Sequence, residues 1–265
     1  MPLHPLVNIA VRAARRAGDV IIRASDRLDQ IKIATKTPND FVSEVDQHAE
    51  REIIHIIRKA YPDHSILAEE SGDHEGSEFQ WIIDPLDGTT NYLHRFPQYA
   101  VSIAIKQKNR LEHGVVYDPL KDELFTASRG QGAQLNGRRI RVSQASGLEG
   151  ALLGTGFPFK DQRNLDVYVE TLKAMIVPTA GVRRPGSAAL DLAYVAAGRL
   201  DGFWELALNP WDMAAGLVLI QEAGGMVADI DGSPQLLETG NVVAGNPKVF
   251  KEMIKILQPY AARLV

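Results

Sequence analysis

Residues 81–91 read Trp-Ile-Ile-Asp-Pro-Leu-Asp-Gly-Thr-Thr-Asn. Gln80-Trp81-Ile82-Ile83 has the character of a buried strand, and it runs straight into a carboxylate, Asp84. Pro85 is expected to turn the chain, and a second carboxylate, Asp87, follows three residues after the first. Gly88-Thr89-Thr90 then reads as the first turn of a short helix, whose free N–H groups form an anion site. Two carboxylates beside a phosphate would repel it and would raise each other's pKa. Divalent cations remove both conflicts. Mg²⁺ prefers oxygen ligands with a phosphate co-ligand, and this chain has no cysteine and no clustered histidine to favour a softer metal. The plainer reading is that Asp84 and Asp87 cap a turn, because Asp-Pro and Asp-Gly are ordinary turn dipeptides.

Other acids stand at similar places. Glu69-Glu70-Ser71 follows the short strand Ile66-Leu67-Ala68, and Asp212 opens a helix after Asn209-Pro210-Trp211. Asp212 would also suit the helix dipole without any ligand, and Asp46 could serve only as the capping partner of Ser43. Glu70 reads as a solvated neighbour of the group. Glu69, Asp84, Asp87 and Asp212 together would carry four negative charges, which two Mg²⁺ balance. A phosphate monoester dianion then calls for a third, weaker cation, so charge balance points to two or three Mg²⁺ per subunit.

These residues need a scaffold. A first helix is predicted from about Pro5 to Asp26, with Leu3, Leu6, Val7, Ala10, Ala13, Ala14, Ala17 and Ile21 forming an apolar stripe. A second covers Val45 to Ala60 and stops at Pro62. Asp73 to Ser77 reads as a polar loop. From Tyr99 to Ile140 the alternation is that of a β-meander, with turns at Lys108-Asn109, Asp118-Pro119 and Asn136-Gly137. Thereafter strands and helices alternate: a helix over Ser187–Ala197 closed by Gly198, a strand over Leu200–Glu205, a helix over Trp211–Ala223 closed by Gly224-Gly225, and a last helix from Pro247 to about Leu257 capped by Asn246. The change of pattern divides the chain into an α+β domain, residues 1–145, with an antiparallel sheet and most of the candidate ligands, and an α/β domain, residues 146–265, with the last of them.

Composition excludes much else. Hydrophobic residues make up 45% and charged residues 23%, as in an ordinary globular chain. The formal charge of −4 gives no reason to expect a coat on nucleic acid or anionic lipid. Without cysteine there is no disulfide, thiolate site or cysteine nucleophile, which suits a reducing cytoplasm, the expected location. No apolar run approaches the roughly 18–20 residues of a membrane span. Arg12, Arg15 and Arg16 interrupt the N-terminus where a secretory signal would be apolar. The i, i+3 spacing of Asp84 and Asp87 differs from the i, i+2 pair of haloacid-dehalogenase phosphatases, and GxxxxGK[ST], GxSxG and HExxH are absent. The seven histidines (4, 48, 55, 64, 74, 94, 113) show no ligand spacing and read as surface or packing residues. Arg138-Arg139-Ile140-Arg141 reads as a solvated sheet edge. Arg183-Arg184 reads as loop charges or a partner patch.

Ala68-Glu69-Glu70-Ser71-Gly72, residues 81–91, and Trp211-Asp212 with Glu222-Ala223-Gly224-Gly225 together resemble the inositol monophosphatase family over essentially the whole chain. Asn39–Asp46, Gly154–Phe159 and Ala196–Glu205 are similar to its bacterial, SuhB-type branch. The resemblance implies a layered αβαβα sandwich of the inositol monophosphatase and fructose-1,6-bisphosphatase type. It implies a homodimer and a lithium-sensitive, Mg²⁺-dependent hydrolysis of inositol monophosphate. By position, Glu69, Asp84 and the Leu86 carbonyl would hold one Mg²⁺. Asp84, Asp87 and Asp212 would hold a second, and Glu69 would reach a third through water. Asp46 and Thr89 would orient the attacking water, and Lys36 lies in the matching flexible hairpin. Gly88 and Thr89 N–H groups would bind phosphate; Gly186, Ser187, Ala188 and Glu205 would meet the alcohol. The sequence GTGFPF after residue 153, and Ser187, depart from the animal enzymes and bear on the identity of the alcohol. Two alternatives accompany this reading. One is a sister phosphatase acting on fructose bisphosphate, 3′-phosphoadenosine phosphate or histidinol phosphate. The other is a transcription-antitermination partner of RNA polymerase and Nus factors, although the chain carries no direct nucleic-acid signature.

Overall fold

The computed structural model describes residues 3–31, 33–37, 40–158 and 162–264. Helix α1 (Pro5–Ser25) opens with proline at its first position, and the His4 ring accepts the Leu6 N–H. Its apolar stripe from Leu6 to Ile21 is buried as expected, whereas Leu3 precedes the helix and is half-buried. A hairpin of β1 (Ile33–Thr37) and β2 (Asp40–Ser43) leads into α2 (Glu44–Ala60), which opens with a capping box between Ser43 and Asp46. Strands β3 (Ser65–Ala68), β4 (Gly72–His74) and β5 (Phe79–Asp87) follow, then α3 (Thr89–Leu93). The meander is β6 (Ala100–Gln107), β7 (Arg110–Asp118), β8 (Glu123–Ser128), β9 (Gly132–Leu135) and β10 (Arg138–Arg139).

These strands make an eight-stranded sheet of order β10-β9-β8-β7-β6-β5-β3-β4. β3 and β5 run parallel, with Ala68 opposite Ile83, whereas the other neighbours pair antiparallel. The parallel pair matters for the site. It brings Glu69, the residue after β3, and Asp84, at the bulge within β5, out side by side, and the Glu69 N–H donates to the Ile83 carbonyl at 3.1 Å.

The second half holds β11 (Leu152–Thr155), α4 (Leu165–Ile176), β12 (Gly181–Arg183), α5 (Ala188–Ala196), β13 (Gly202–Glu205), α6 (Pro210–Glu222), β14 (Met226–Ala228), α7 (Leu236–Thr239), β15 (Val242–Gly245) and α8 (Pro247–Ala261). Its five strands have the order β12-β11-β13-β15-β14. The last strand of the first sheet ends at Arg139 and the first of the second begins at Leu152, on either side of the expected division at 145/146. α6 nevertheless packs back onto β6 and β7, so the two halves share a core.

The layers follow from the helix faces. α1 and α2 cover one face of the large sheet with a single apolar stripe each. α5 and α6 lie between the sheets and are apolar nearly all round, as a helix with two buried faces must be. α4 and α8 cover the outer face of the small sheet. The result is the expected αβαβα sandwich.

Three local expectations change. Pro85 does not turn the chain: β5 continues to Asp87, with Asp84 opposite Ser102 and Asp87 opposite Ala100, so it carries one residue more than β6 between those pairs. A bulge accommodates proline's missing N–H, and it re-aims the two carboxylates. Part of the expected 73–77 loop forms β4, because the edge of β3 offers it a hydrogen-bonding partner. The last helix runs past Leu257 to Ala261, with Pro259 near its open end.

Close approach of α6 to the sheet depends on Gly114 in β7, where an added Cβ would lie 2.5 Å from the Ala215 carbonyl oxygen. That neighbour is helix backbone and cannot swing aside. Gly114→Ala is therefore expected to destabilise the fold by about 1–3 kcal/mol through overpacking, read as a lower urea midpoint with unchanged slope. An unchanged midpoint would contradict this packing.

Candidate active site

Beside the sheet end where Glu69 and Asp84 emerge lies a cavity of about 620 Å³, bounded by β5, α3, the N-termini of α5 and α6, and the loop after β11. Asp84, Asp87 and Asp212 each offer a carboxylate oxygen, all within 4.8 Å of one another, and Glu69 lines the same cavity. Residues 69, 84–87 and 212 thus converge from three separate parts of the chain.

Local backbone fixes each acid. Asp84 Oδ1 accepts the Leu86 N–H at 2.9 Å, across the bulge. Asp87 Oδ2 accepts the Ser187 hydroxyl at 2.6 Å and the Ala189 N–H at 2.8 Å, so it caps α5 from the neighbouring layer. Asp212 Oδ2 accepts the Asn209 N–H at 2.7 Å and closes the capping box of α6. Asp46 Oδ2 accepts the Ser43 N–H at 2.8 Å and the Ser43 hydroxyl at 2.5 Å. Its other oxygen, Oδ1, lies 2.9 Å from the Thr89 hydroxyl, which is also 3.1 Å from the Leu86 carbonyl. Asp46 is therefore a cap and a neighbour of the cavity wall at once.

Gly88 caps α3 with φ +96°, and a Cβ there would meet the Gln98 carbonyl at 2.9 Å, so only glycine fits. The Asn91 amide nitrogen reaches the Gln98 and Pro185 carbonyls at 2.7 and 2.8 Å. That bridge sets Gly186, Ser187 and Ala188 against Gly88 and Thr89. Glu205, at the end of β13, lines the cavity with them. Lys36 lies in β1, and its side chain is outside the described residues.

Burial dominates the electrostatics. Asp84 is 1% exposed, and its carboxyl is pushed well above the ordinary carboxylate range, first by burial and then by the charges of Glu69, Asp87 and Asp212. Burial also raises Asp46, against the hydrogen bonds from Ser43 and Thr89. A buried acid whose ionisation its acidic neighbours oppose, with oxygen as the donor type, fits a hard divalent cation.

Some neighbours escaped the sequence reading. Asp191, one turn into α5, is buried at the cavity wall, and its Oδ1 has no hydrogen-bond partner among the described residues. Its pKa is pushed well above the usual range by burial, then by Glu205 and Asp87, with Arg184 opposing. The available signal was an acid inside the otherwise apolar run Ala188–Ala196. Arg184 also lines the cavity, with its guanidinium 5.1 Å from the centre of the Phe157 ring. Arg138 and Arg139 lie exposed on the edge strand β10, as expected. Glu70 turns its backbone N–H to Glu50 at 2.8 Å. Of the histidines, His94 lines the cavity, whereas His4 and His113 stack on each other away from it.

The sequence profile of the inositol monophosphatase family matches residues 2–261. The chain is 56% identical over 264 residues to the Nus factor SuhB of Pseudomonas aeruginosa, covering 97% of each protein. It is 55% identical over 254 residues to the Nus factor SuhB of Escherichia coli K12, covering 95% of each. Among solved structures, the extragenic suppressor protein suhB of Bartonella henselae superposes with a TM-score of 0.94 at 42% identity, covering 96% of this chain and 99% of that one.

The raised pKa of Asp84 has a definite sign for stability. Its contribution is fully present below the ordinary carboxylate pKa and is lost as pH rises through the folded-state value. Asp84→Asn keeps a carbonyl for the Leu86 N–H and removes the buried charge. With chelator present, it is expected to melt at a higher temperature than the wild type at about pH 8, the gap closing towards about pH 4. A lower melting temperature at the alkaline end would contradict the electrostatic reading.

Proposed function

The chain belongs to the inositol monophosphatase family, and we propose that it hydrolyses inositol monophosphate to inositol and inorganic phosphate by direct attack of an activated water. Phosphatase chemistry and dependence on a metal come with the family. The observation that supports this reading most strongly is the meeting of Asp84, Asp87 and Asp212 within 4.8 Å of one another in a cavity that also carries Gly88, Thr89 and Glu205.

The resemblance to the family suggests how these donors would share the cations. Glu69, Asp84 and the Leu86 carbonyl would hold one Mg²⁺, and Asp84, Asp87 and Asp212 a second; a third would be reached from Glu69 through water. When bound, they neutralise the acids and the ester, acidify the nucleophilic water and stabilise the leaving alkoxide. The protein's own groups do the rest. With its proton given to Asp46 at 2.9 Å, Thr89 Oγ1 keeps its lone pairs for a water's O–H, which leaves the water's oxygen free to face phosphorus. The Gly88 and Thr89 N–H groups receive phosphate oxygens. Gly186, Ser187, Ala188 and Glu205 receive the hydroxyls of the alcohol, where a carboxylate is a strong acceptor. A homodimer is part of the proposal. It is supported by Val169, Ile176 and Val177, which are 53, 52 and 80% exposed on α4 and just beyond it. No helix among the described residues is long and apolar enough to cross a membrane, and a cytoplasmic location is proposed.

One further reading has support of its own. Relatives at 55–56% identity carry the name Nus factor. A contact with RNA polymerase and Nus factors is therefore proposed alongside hydrolysis. It would be made through protein surfaces, since the net charge of −4 offers little to nucleic acid.

Phosphate release from inositol 1-phosphate is expected with Mg²⁺, to vanish with chelator and to fall with added Li⁺. A panel of sugar, nucleotide and histidinol phosphates separates the sister substrates, and release from those alone would overturn the inositol reading. Asp87→Asn and Asp212→Asn keep the oxygen that accepts each backbone N–H, so both should fold. Each is expected to lose activity by more than the roughly 10- to 100-fold typical of groups that only support a metal ligand. Near-normal turnover would contradict the assignment. Capture of RNA polymerase by Asp212→Asn would support a binding role independent of hydrolysis, and loss of capture would oppose it.

A further inference from the structure

Gly156 stands directly after β11, and the parallel pairing of β11 with β13 decides what it faces. Leu153 pairs with Gly202, Gly154 with Phe203 and Thr155 with Trp204, so the next step sets Gly156 beside Glu205. The register is pinned from the side. The Thr155 hydroxyl reaches the Trp204 carbonyl at 2.8 Å and lies 2.9 Å from the Tyr168 hydroxyl. A Cβ built on Gly156 would fall 1.8 Å from Glu205 Oε1, 2.0 Å from Cδ and 2.3 Å from Oε2. The carboxylate occupies the volume a side chain would need.

Backbone conformation does not explain the glycine. Eleven glycines have positive φ and Gly156 is not among them. Alanine could adopt its conformation, so only space forbids it. The three nearest atoms that a Cβ would meet all belong to the Glu205 carboxylate, the far end of a flexible side chain. Displacement of Glu205 is therefore the relief that requires no backbone shift. Gly154 differs, because its missing Cβ makes room for Leu200 and Phe203 of the core.

We propose that Gly156 is a positioning residue for substrate selection: its missing side chain creates the berth that holds the Glu205 carboxylate at the alcohol end of the cavity. This rests on the reading that Glu205 meets the alcohol's hydroxyls, and it adds the group that places Glu205. A hydroxylated alcohol then depends on residue 156, whereas an ester without hydroxyls does not.

The test is Gly156→Ala in the full-length protein, with KM and kcat measured on inositol 1-phosphate and on 4-nitrophenyl phosphate, alone and in a Glu205→Ala background. Expected is a rise in KM for inositol 1-phosphate of about tenfold, the loss of one charged hydrogen bond, with kcat nearly kept. The nitrophenyl ester should change by less than about twofold, and the substitution should add nothing once Glu205 is alanine. A crystal structure of Gly156→Ala should show the Glu205 carboxylate displaced and the β11–β13 register intact. An unmoved carboxylate, or a KM effect that persists in the Glu205→Ala background, would overturn the proposal. Absence of phosphate release by the wild-type protein would instead overturn the functional reading, and the crystallographic result would still decide the role of Gly156.

Discussion

One deeply buried carboxylate, Asp84, ringed by other acids, is the constraint around which this molecule is arranged. Asp84 sits almost wholly out of water with Glu69, Asp87 and Asp212 acting on it, and each opposes its ionisation. A carboxylate charge as deeply buried as that of Asp84 is expensive. The arrangement is intelligible if the missing compensation comes from bound cations, whose affinity then stabilises the fold. The parallel pairing of β3 with β5 and the bulge at Pro85 set one side of the cluster. The other side is α6, held against the large sheet by the absence of a side chain at Gly114.

The choice between cap and ligand, natural for any acid at a strand or helix end, dissolves in the structure. Asp84, Asp87, Asp212 and Asp46 each give at least one oxygen to nearby backbone N–H groups or hydroxyls. Capping fixes the side chain's rotamer at little cost in entropy and so aims the carboxylate. Preorganisation of this kind is what a site needs when its acids would otherwise turn apart. Asp87 shows the economy of the device: the bonds that cap α5 also tie the first sheet to the helix that presents Ser187.

Much of this was legible in sequence because it rests on local chemistry. The Ser43–Asp46 box, the proline and asparagine opening of α8, and the stripe of α1 are short-range signals with direct physical causes. The acidic residues stood out by type and by their place at element ends. What escaped depends on tertiary register. Pro85 reads as a turn until β6 is there to pair around a bulge. Asp191 reads as an ordinary helical acid until both faces of α5 are covered. The meeting of Gly156 with Glu205 requires the pairing of two strands far apart in the chain. α4, which presents apolar residues outward, lacks the one-sided pattern that marks a helix packed on a single core.

The most direct test of the central claim is an anomalous difference map from crystals soaked in Mn²⁺, a stand-in for Mg²⁺ that can be located by its own scattering. The account predicts a strong peak between Asp84, Asp87 and Asp212, at about 2.1 Å from carboxylate oxygens of each. A well-ordered map with these side chains in place and no peak among them would contradict it.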